Sequence, residues 1–282
     1  MKKRHSASTK KQYTILIYIL LVFACLVVSL PIFWYISTSL KPYVKTIAYP
    51  PKWIPDPITF ENFRFLLTKS NAPKYILNSL SVCFFTIICT LILASHMAFA
   101  FSRYQFKGKN VLMFCILMTS MIPGICIITS MYIISVKLNL HDTYHLLIIV
   151  FTAGQIPTQV WLLKGFFDKV PVELEESARL DGVTTLGSFY RILFPLSLPG
   201  IAAGAILIFV NVWNDWLISS TLTISESMRM VNVGLFDYIK DLGVDWGKFT
   251  AYSLISIFPI IALFLSMQKY FIQGLTAGAT KG

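Results

Sequence analysis

Six long stretches without a charged side chain constrain this sequence more than any other feature. Each can supply the roughly 20 consecutive apolar residues that an α-helix needs to cross the hydrocarbon core of a bilayer. Charged residues make up only 13% of the 282-residue chain, whereas soluble domains average about 25%. We therefore predict an all-α membrane protein with six transmembrane helices. The stretches are 12–40, 75–102, 111–136, 143–163, 192–214 and 249–268.

The basic residues indicate the orientation of these helices. Five Lys or Arg residues lie in the first eleven positions, and three more follow the second stretch, whereas Lys137 stands alone in the next loop. Cytoplasmic loops carry an excess of Lys and Arg, so we predict that both termini are cytoplasmic. The loop 41–74 is an exception, because it is basic and would lie outside; its six prolines suggest a packed extracytoplasmic segment.

This orientation divides the chain into a basic cytoplasmic N-terminus, a transmembrane domain and a cytoplasmic C-terminal tail. The respective ranges are 1–12, 13–271 and 272–282. Within the transmembrane domain we predict two long outer loops and one long cytoplasmic loop between the fourth and fifth helices. These are 41–74, 219–247 and 168–197.

Several other classes of function find little support in the residues. The net charge of +11 does not indicate nucleic-acid binding, because the basic residues lie at the ends of apolar runs. The five cysteines lie inside apolar runs without CxxC spacing, so we predict that they are small packing residues. His141 and His145 have an i, i+4 spacing that could hold a metal. However, they lie at the predicted start of the fourth helix, where Asp142 between them could equally be a helix cap. We predict no metal site and no catalytic residues. For His96 we predict packing within the bundle, with its hydrogen-bonding groups satisfied.

Among the prolines of the apolar stretches, Pro123, Pro157 and Pro259 each interrupt a different stretch. Inside a helical bundle, neighbouring helices can satisfy the backbone groups that a proline frees. Each proline is therefore either a packing kink or a hinge that opens carbonyl groups along a pathway.

Residues 171–195, which we call the elbow, carry the strongest functional signal. Pro171 can occupy the first position of a short helix whose acidic first turns suit the helix dipole. Asp181-Gly182 ends that helix, and Thr184 or Thr185 can cap a second one, which Pro195 terminates. The sequence therefore predicts a cytoplasmic helix-turn-helix with exposed apolar residues, suited to binding another protein.

The ordered motifs of the elbow resemble the Glu-Ala-Ala loop of permease subunits in ATP-binding-cassette importers. Residues 175–182 are similar to the form found in the maltose-type carbohydrate permeases. Ser177 departs from the family pattern, where Ala is usual, but Ser is small enough for the elbow to form. The resemblance covers nearly the whole chain and is carried by Glu176-Ser177-Ala178, Gly182, Ile192-Leu193-Phe194-Pro195, Ile122-Pro123-Gly124, Trp213-Asn214-Asp215-Trp216 and the terminal segment 268–279.

This resemblance implies that the elbow is a coupling helix seated in a groove of a separate ATPase subunit. The residues implied in ATPase coupling are Glu175, Glu176, Ser177, Ala178, Arg179, Asp181 and Gly182. The implied partners are a homologous second permease subunit, two ATPase subunits that bind ATP and Mg, and an extracytoplasmic solute-binding protein. The chain has no Gly-x-x-x-x-Gly-Lys-Ser/Thr motif, and we expect no cofactor of its own.

The implied activity is import of a sugar or oligosaccharide across a prokaryotic cell membrane, with a peptide or metal chelate as the alternative solute. We predict that Asn211, Trp213, Asn214 and Asp215 meet the solute, with Trp213 stacking on a sugar face. Alternatively, the tryptophans lie at the membrane interface and Asp215 is a solvated carboxylate there. A membrane-embedded enzyme is disfavoured because no inward group of His and Asp is visible. A secondary transporter is disfavoured because the stretches hold few ionisable residues.

Overall fold

A computed structural model describes the backbone of residues 2–240 and 243–279 and the side chains of residues 13–239 and 243–268. The described chain is mostly helical, as predicted, with one short antiparallel hairpin of β1 (Ile239–Lys240) and β2 (Gly243–Val244). The described helices are α1 (Lys2–Ser39), α2 (Glu61–Thr68), α3 (Ala72–Arg103), α4 (Lys109–Thr119), α5 (Gly124–Lys137), α6 (Tyr144–Phe167), α7 (Glu173–Leu180), α8 (Thr185–Ser188), α9 (Phe194–Leu196), α10 (Leu198–Trp213), α11 (Leu217–Leu222), α12 (Val231–Gly234) and α13 (Trp246–Ala279).

Four helices among the described residues are long and apolar enough to cross a membrane. Two further pairs of helices pass the same test only if each pair, bent at a short break, counts as one span. The chain therefore has four to six candidate spans, and four of the six predicted stretches form continuous helices. The continuous spans are Tyr13–Ser39, Ala72–Arg103, Tyr144–Phe167 and Trp246–Gln268.

The third predicted span is broken rather than continuous. α4 and α5 meet at an angle of 87°, and Pro123 stands before α5 with an extended backbone. A proline cannot donate the hydrogen bond that would continue the helix, and it biases the preceding residue away from helical geometry. The prediction of one continuous helix over 111–136 is therefore wrong. The other two prolines leave their helices continuous: Pro157 in α6 and Pro259 in α13.

The fifth predicted span begins later than expected. Residues 192–196 belong to the helical segment before α10, and a bend of 76° separates that segment from α10. α10 itself has 16 residues, and at 1.5 Å per residue it is about 24 Å long. A bilayer core is about 30 Å thick, so α10 alone is shorter than the span that the sequence predicts over 192–214.

The chain divides into two compact units, of which the first comprises Met1–Ser70 and Asp237–Ile255. In this unit the first long loop folds back on the end of α1. Asn62 Nδ2 donates hydrogen bonds to the carbonyl oxygens of Ser39 and Lys41, at 2.8 and 3.0 Å. Lys41 is only 2% exposed, and its ammonium group donates to the carbonyl oxygen of Lys52 at 2.6 Å. The loop is thus attached to the end of α1 at these points, whereas most of residues 43–60 are exposed, so the prediction of a packed segment holds only near its ends.

The second unit comprises Asn71–Phe236 and Ser256–Gly282, and in it α3, α6 and α10 pack against one another. Two glycines of α10 allow it to approach α6 closely. A Cβ atom at Gly200 would lie 2.3 Å from the ring of Phe166, and one at Gly204 would lie 2.5 Å from Gln159 Oε1. Small residues at helix interfaces serve this purpose in membrane proteins. The core that joins these helices to the elbow includes Phe99, Leu163, Phe167, Phe189 and Ile201.

Parts of the predicted termini lie outside the described side chains. These are the basic side chains of 1–12 and the terminal motif beyond Gln268. The backbone of α13 continues as a helix to Ala279, so the predicted tail 272–282 is helical over its first eight residues.

Candidate functional site

The elbow consists of a short helix, a glycine turn and a second helical segment. α7 ends at a C-cap on Asp181, and Gly182 follows with a φ of +85°, the left-handed region that favours glycine. Thr184 caps the second segment, because its hydroxyl oxygen accepts a hydrogen bond from the backbone N–H of Gly187 at 3.1 Å. The predicted turn and the predicted cap at Thr184 are confirmed.

Two boundaries of the elbow differ from the prediction. Pro171 lies outside α7, whose N-cap is Val172, so its assignment to the first helical position is wrong. The second segment continues from α8 through a π-helical turn, Phe189–Leu193, into α9. Pro195 lies in the first turn of α9, where a missing N–H is tolerated, so the segment ends one residue after this proline rather than at it.

Glu175 anchors the elbow to the end of α3. Its side chain is fully buried, and Oε1 accepts a hydrogen bond from Nε of Arg103 at 2.6 Å. The Arg103 side chain is only 6% exposed and also donates to the carbonyl oxygen of Val170, at 3.0 Å. A fully buried carboxylate cannot contact a partner protein. The structure thus gives Glu175, which the sequence analysis grouped with the coupling residues, a place in the attachment of α7 to α3, and it adds Arg103, which the sequence analysis missed.

A chain of polar contacts continues from Arg103 into α6. Nη1 of Arg103 donates to the hydroxyl of Ser102 at 3.1 Å, and this hydroxyl donates to Oδ1 of Asp168 at 2.6 Å. The other carboxylate oxygen of Asp168 accepts from Lys164 at 2.6 Å. α3, α6 and α7 are therefore joined by charged and hydroxyl groups at one place.

Aromatic packing attaches the second segment of the elbow to α3. The ring of Phe189 is buried, and its centroid lies 5.1 Å from that of His96. His96 Nδ1 lies 2.7 Å from the carbonyl oxygen of Ile92, so this nitrogen carries a proton and donates. Nε2 lies 2.8 Å from the hydroxyl of Tyr190, which donates to it when the ring is neutral. His96 is thus a satisfied packing residue, as predicted.

The remaining predicted coupling residues lie on the outer surface of the elbow. Ser177 donates to the carbonyl oxygen of Glu173 at 2.8 Å, so this departure from Ala leaves α7 intact. Three leucines of the elbow are exposed: Leu174 by 46%, Leu180 by 90% and Leu186 by 57%. Apolar side chains exposed among charged ones are typical of a protein-binding surface. The surface also presents Glu176, Arg179, Asp181 and Gly182, with Ala178 half-buried.

The four residues predicted to meet the solute do not form one site. Trp213 is 2% exposed, stacks on Phe209 with ring centroids 5.2 Å apart, and donates its Nε1–H to the carbonyl oxygen of Ser256 at 3.2 Å. It offers no free face to a sugar or to the membrane interface, so both interpretations of Trp213 are wrong. Asn214 donates to the carbonyl oxygen of Val210 at 2.9 Å, within its own helix.

Asp215 holds the start of α11. Its Oδ1 accepts hydrogen bonds from the backbone N–H and the hydroxyl of Ser219, at 2.9 and 3.1 Å. Burial raises the pKa of the Asp215 carboxyl, and the bonds from Ser219 offset part of that rise. The carboxylate therefore serves as a helix cap rather than as the predicted solvated group or solute contact.

Of the four, Asn211 lines a described cavity that has a volume of about 560 Å³ and lies at the break between α4 and α5, and the other three do not line this cavity. Its Nδ2 donates to Oε1 of Gln155 on α6, at 3.1 Å. The sequence interpretation missed Gln155. The signal that could have found this cavity is a pair of prolines, since Pro157 lines it and Pro123 stands between two of its lining residues, Ile122 and Gly124. Further hydroxyl groups in the wall come from Thr119, Ser120 and Thr158.

The histidines near the start of α6 do not make a metal site. His141 precedes the helix, so the i, i+4 spacing does not place it on one helical face with His145, and its ring Nδ1 lies 3.2 Å from the Ser135 hydroxyl. Thr143 rather than Asp142 caps α6. Among the side chains that the structure describes, no group of three His, Cys, Asp or Glu residues could hold a metal ion.

Several apolar helices, an elbow with exposed apolar side chains and a cavity with polar walls are features expected of a membrane transport subunit. The chain belongs to the family of binding-protein-dependent transport system inner membrane components, which it matches over residues 90–276. It is thus a multi-pass membrane protein and a transport component rather than an enzyme. The match confirms the resemblance found in the elbow sequence.

Named relatives extend over almost the whole chain. It is 32% identical to the galactooligosaccharides transport system permease protein GanQ of Bacillus subtilis (strain 168), over 94% of each chain. It is 31% identical to the trehalose transport system permease protein SugB of Mycobacterium tuberculosis (strain CDC 1551 / Oshkosh), over 90% of this chain and 92% of that one. It is 30% identical to the trehalose/maltose transport system permease protein MalG of Thermococcus litoralis, over 94% of each.

Solved structures share the fold. A chain of a bacterial ABC transporter involved in the import of the acidic polysaccharide alginate superposes with a TM-score of 0.81 at 23% identity. The superposition covers 93% of this chain and 98% of that chain. A chain of the MetNI methionine ABC transporter gives a TM-score of 0.59 at 14% identity, over 76% of this chain and 98% of that one.

Proposed function

We propose that this chain is the permease subunit of an ATP-driven sugar importer and forms half of its translocation pathway. The observation that carries the proposal is the set of relatives at about one-third identity, which are named for galactooligosaccharides, trehalose and trehalose/maltose. The walls of the cavity agree with such a solute, because no lining residue is Asp, Glu, Lys or Arg. An uncharged sugar needs hydrogen-bonding groups but no counter-charge.

The proposed architecture has six spans, with each bent helix pair crossing the membrane once. An even number of spans places both termini on one side, and the basic segment 1–12 favours the cytoplasm of a prokaryotic cell. The elbow, which follows the fourth span, then also faces the cytoplasm. The partners are a homologous second permease subunit, two ATPase subunits that bind ATP and Mg, and an extracytoplasmic solute-binding protein.

The elbow is the proposed contact with one ATPase subunit. Leu174, Leu180 and Leu186 supply an exposed apolar surface, and Glu176 and Arg179 supply polar contacts at its edge. The buried bond between Glu175 and Arg103 holds the elbow rigidly on α3. Closure of the ATPase subunits can therefore move the long helices as a unit rather than bend the elbow alone.

Reconstitution of the complete complex in proteoliposomes tests this function. With ATP inside the vesicles and the solute-binding protein on the other side of the membrane, we expect uptake of a labelled neutral di- or oligosaccharide. Uptake should stop when ATP is replaced by a non-hydrolysable analogue. Uptake of a peptide or a metal chelate instead of any sugar would overturn the proposed solute class.

Docking of the elbow can be tested separately by co-purification. Leu180→Asp places a charge at the most exposed apolar position of the elbow and should prevent co-purification of the ATPase subunit. Ile224→Asp is the matched control, because that side chain is 67% exposed and lies beyond the far end of α10. Equal retention of the ATPase by the two variants would contradict the assignment.

A further inference from the structure

The cavity at the break between α4 and α5 combines space with neutral polar groups inside an otherwise apolar part of the chain. Its volume of about 560 Å³ lies within the range of roughly 300–1,000 Å³ that is usual for small-molecule sites. In the chain by itself, Asn211 is exposed and Gln155 is half-buried. A carboxamide exposed at membrane depth is unfavourable against lipid, so it is expected to face water, a solute or other protein.

The bond between Asn211 and Gln155 leaves most of their hydrogen-bonding capacity unused. It engages one N–H of Asn211 and one lone pair of Gln155. The carbonyl oxygen of Asn211, its second N–H and both N–H groups of Gln155 have no other partner among the described residues. A pair of amides can both donate to and accept from sugar hydroxyls, whereas a carboxylate or an ammonium group can do only one.

The walls add further acceptors at the two places where prolines interrupt helical hydrogen bonding. Pro157 lacks the N–H that would bond the carbonyl of Ala153 in an uninterrupted helix, and both residues line the cavity. Thr119 and Ser120 stand at the end of α4, where their hydroxyls donate to backbone carbonyls and keep lone pairs free. Thr119 and Ser120 lie at the break that creates the cavity, whereas Ala153 and Pro157 belong to the wall that α6 forms.

The chemistry of the lining also limits how tightly a solute can be held. No lining residue is aromatic, so no ring is available to stack on a sugar, and none is charged. A passage must bind its solute well enough to admit it and weakly enough to release it. A wall of amides, hydroxyls and aliphatic groups meets both conditions.

We propose that this cavity is a low-affinity contact site for the hydroxyl groups of a neutral carbohydrate passing through the membrane, with Gln155 and Asn211 as its recognition residues. The proposal rests on the proposed function of the chain as a sugar permease. Of the four residues predicted to meet the solute it keeps Asn211 on α10, and it adds Gln155 on α6. It also predicts discrimination against charged solutes, since the cavity offers no opposite charge.

The test measures uptake and ATP hydrolysis together in the reconstituted complex. Asn211→Leu removes the amide at similar volume and should lower the uptake rate about tenfold, the effect of losing one or two neutral hydrogen bonds. Stimulation of ATP hydrolysis by the loaded binding protein should persist, which shows that the variant folds and assembles. Asn211→Gln keeps an amide and should recover part of the uptake.

Asn214→Leu is the matched control, because Asn214 has the same side chain but bonds only within α10 and does not line the cavity. It should transport at the rate of the unaltered complex. If Asn211→Leu transports as fast as Asn214→Leu, the cavity faces lipid or the second permease subunit and the inference is wrong. If the unaltered complex takes up no sugar, the proposed function fails instead. If Asn211→Leu also loses stimulated ATP hydrolysis, the residue is structural, which overturns the recognition role.

Discussion

Breaking the ion pair between Arg103 and Glu175 should release the elbow from α3. Glu175→Leu leaves a guanidinium group that is 6% exposed with only two neutral acceptors, the Val170 carbonyl and the Ser102 hydroxyl. Removing one partner of a buried ion pair costs about 3–5 kcal/mol. That cost corresponds to about two to four orders of magnitude in the equilibrium between the docked and the detached elbow.

A double variant separates this charge effect from simple loss of packing. Arg103→Met with Glu175→Leu removes both charges and refills the space with apolar groups, an exchange that is often neutral or stabilising. We expect the double variant to recover most of the stability lost in Glu175→Leu. The coupling free energy between the two positions then follows from the double-mutant cycle.

Hydrogen exchange of the α7 backbone amides in the purified complex measures the local opening directly. Exchange should accelerate by about two to four orders of magnitude in Glu175→Leu and return towards the original rate in the double variant. The amides of α11 serve as an internal reference, because α11 does not contact this ion pair. Unchanged α7 exchange in Glu175→Leu, or a double variant as impaired as the single one, would refute the anchoring role.

Three further predictions concern single side chains. Gly182→Ala places a Cβ at a φ of +85° and should lower the free energy of unfolding by about 1–2 kcal/mol. Gly165→Ala is the control, because Gly165 lies inside α6 with nothing within 4 Å of the added atom, and it should be neutral or stabilising. The apparent unfolding temperatures of the two variants make the comparison. Thr184→Ala removes the cap of the second elbow segment and should cost about 1 kcal/mol, seen as faster exchange at Gly187. Burial by itself raises the pKa of the Asp142 carboxyl. Hydrogen bonds from Ser225 and from the N–H of Ile224 together lower this pKa by more than burial raises it, so it lies below its ordinary value. Asp142→Asn should therefore reduce stability at neutral pH, and the difference should vanish as the pH falls below about 4 and through the lowered folded-state pKa.

Local signals explain why the elbow could be predicted from the sequence. Gly182 and Thr184 act through their own backbone geometry and through bonds to residues three or four positions away, so neither needs a distant partner. Apolar length likewise identified the four continuous spans. Such features depend on short-range propensities, which a single sequence displays directly.

The burial of Glu175 and Trp213 could not be predicted, because their partners are distant in sequence. Arg103 lies 72 positions from Glu175, and Ser256 lies 43 positions from Trp213. Only the packed fold brings these groups together. In an amphipathic acidic helix, one buried glutamate is indistinguishable from its exposed neighbour Glu176 until the facing helix is known.

The prolines illustrate the same limit. Pro123 and Pro157 both interrupt apolar stretches, yet the chain breaks before α5 and continues through α6. α6 packs along both α3 and α10, and such neighbours can hold a helix together across a proline. The outcome depends on tertiary packing, and so does the cavity that the break creates.

Site-specific cross-linking of the elbow tests the central claim most directly. In a variant without the five native cysteines, Leu180→Cys is paired in turn with single cysteines across the surface of the ATPase subunit, within the assembled complex. The account predicts a disulfide between the elbow and the ATPase that changes in yield when ATP is added, and none from Ile224→Cys. Cross-links from Ile224→Cys but none from Leu180→Cys would contradict it.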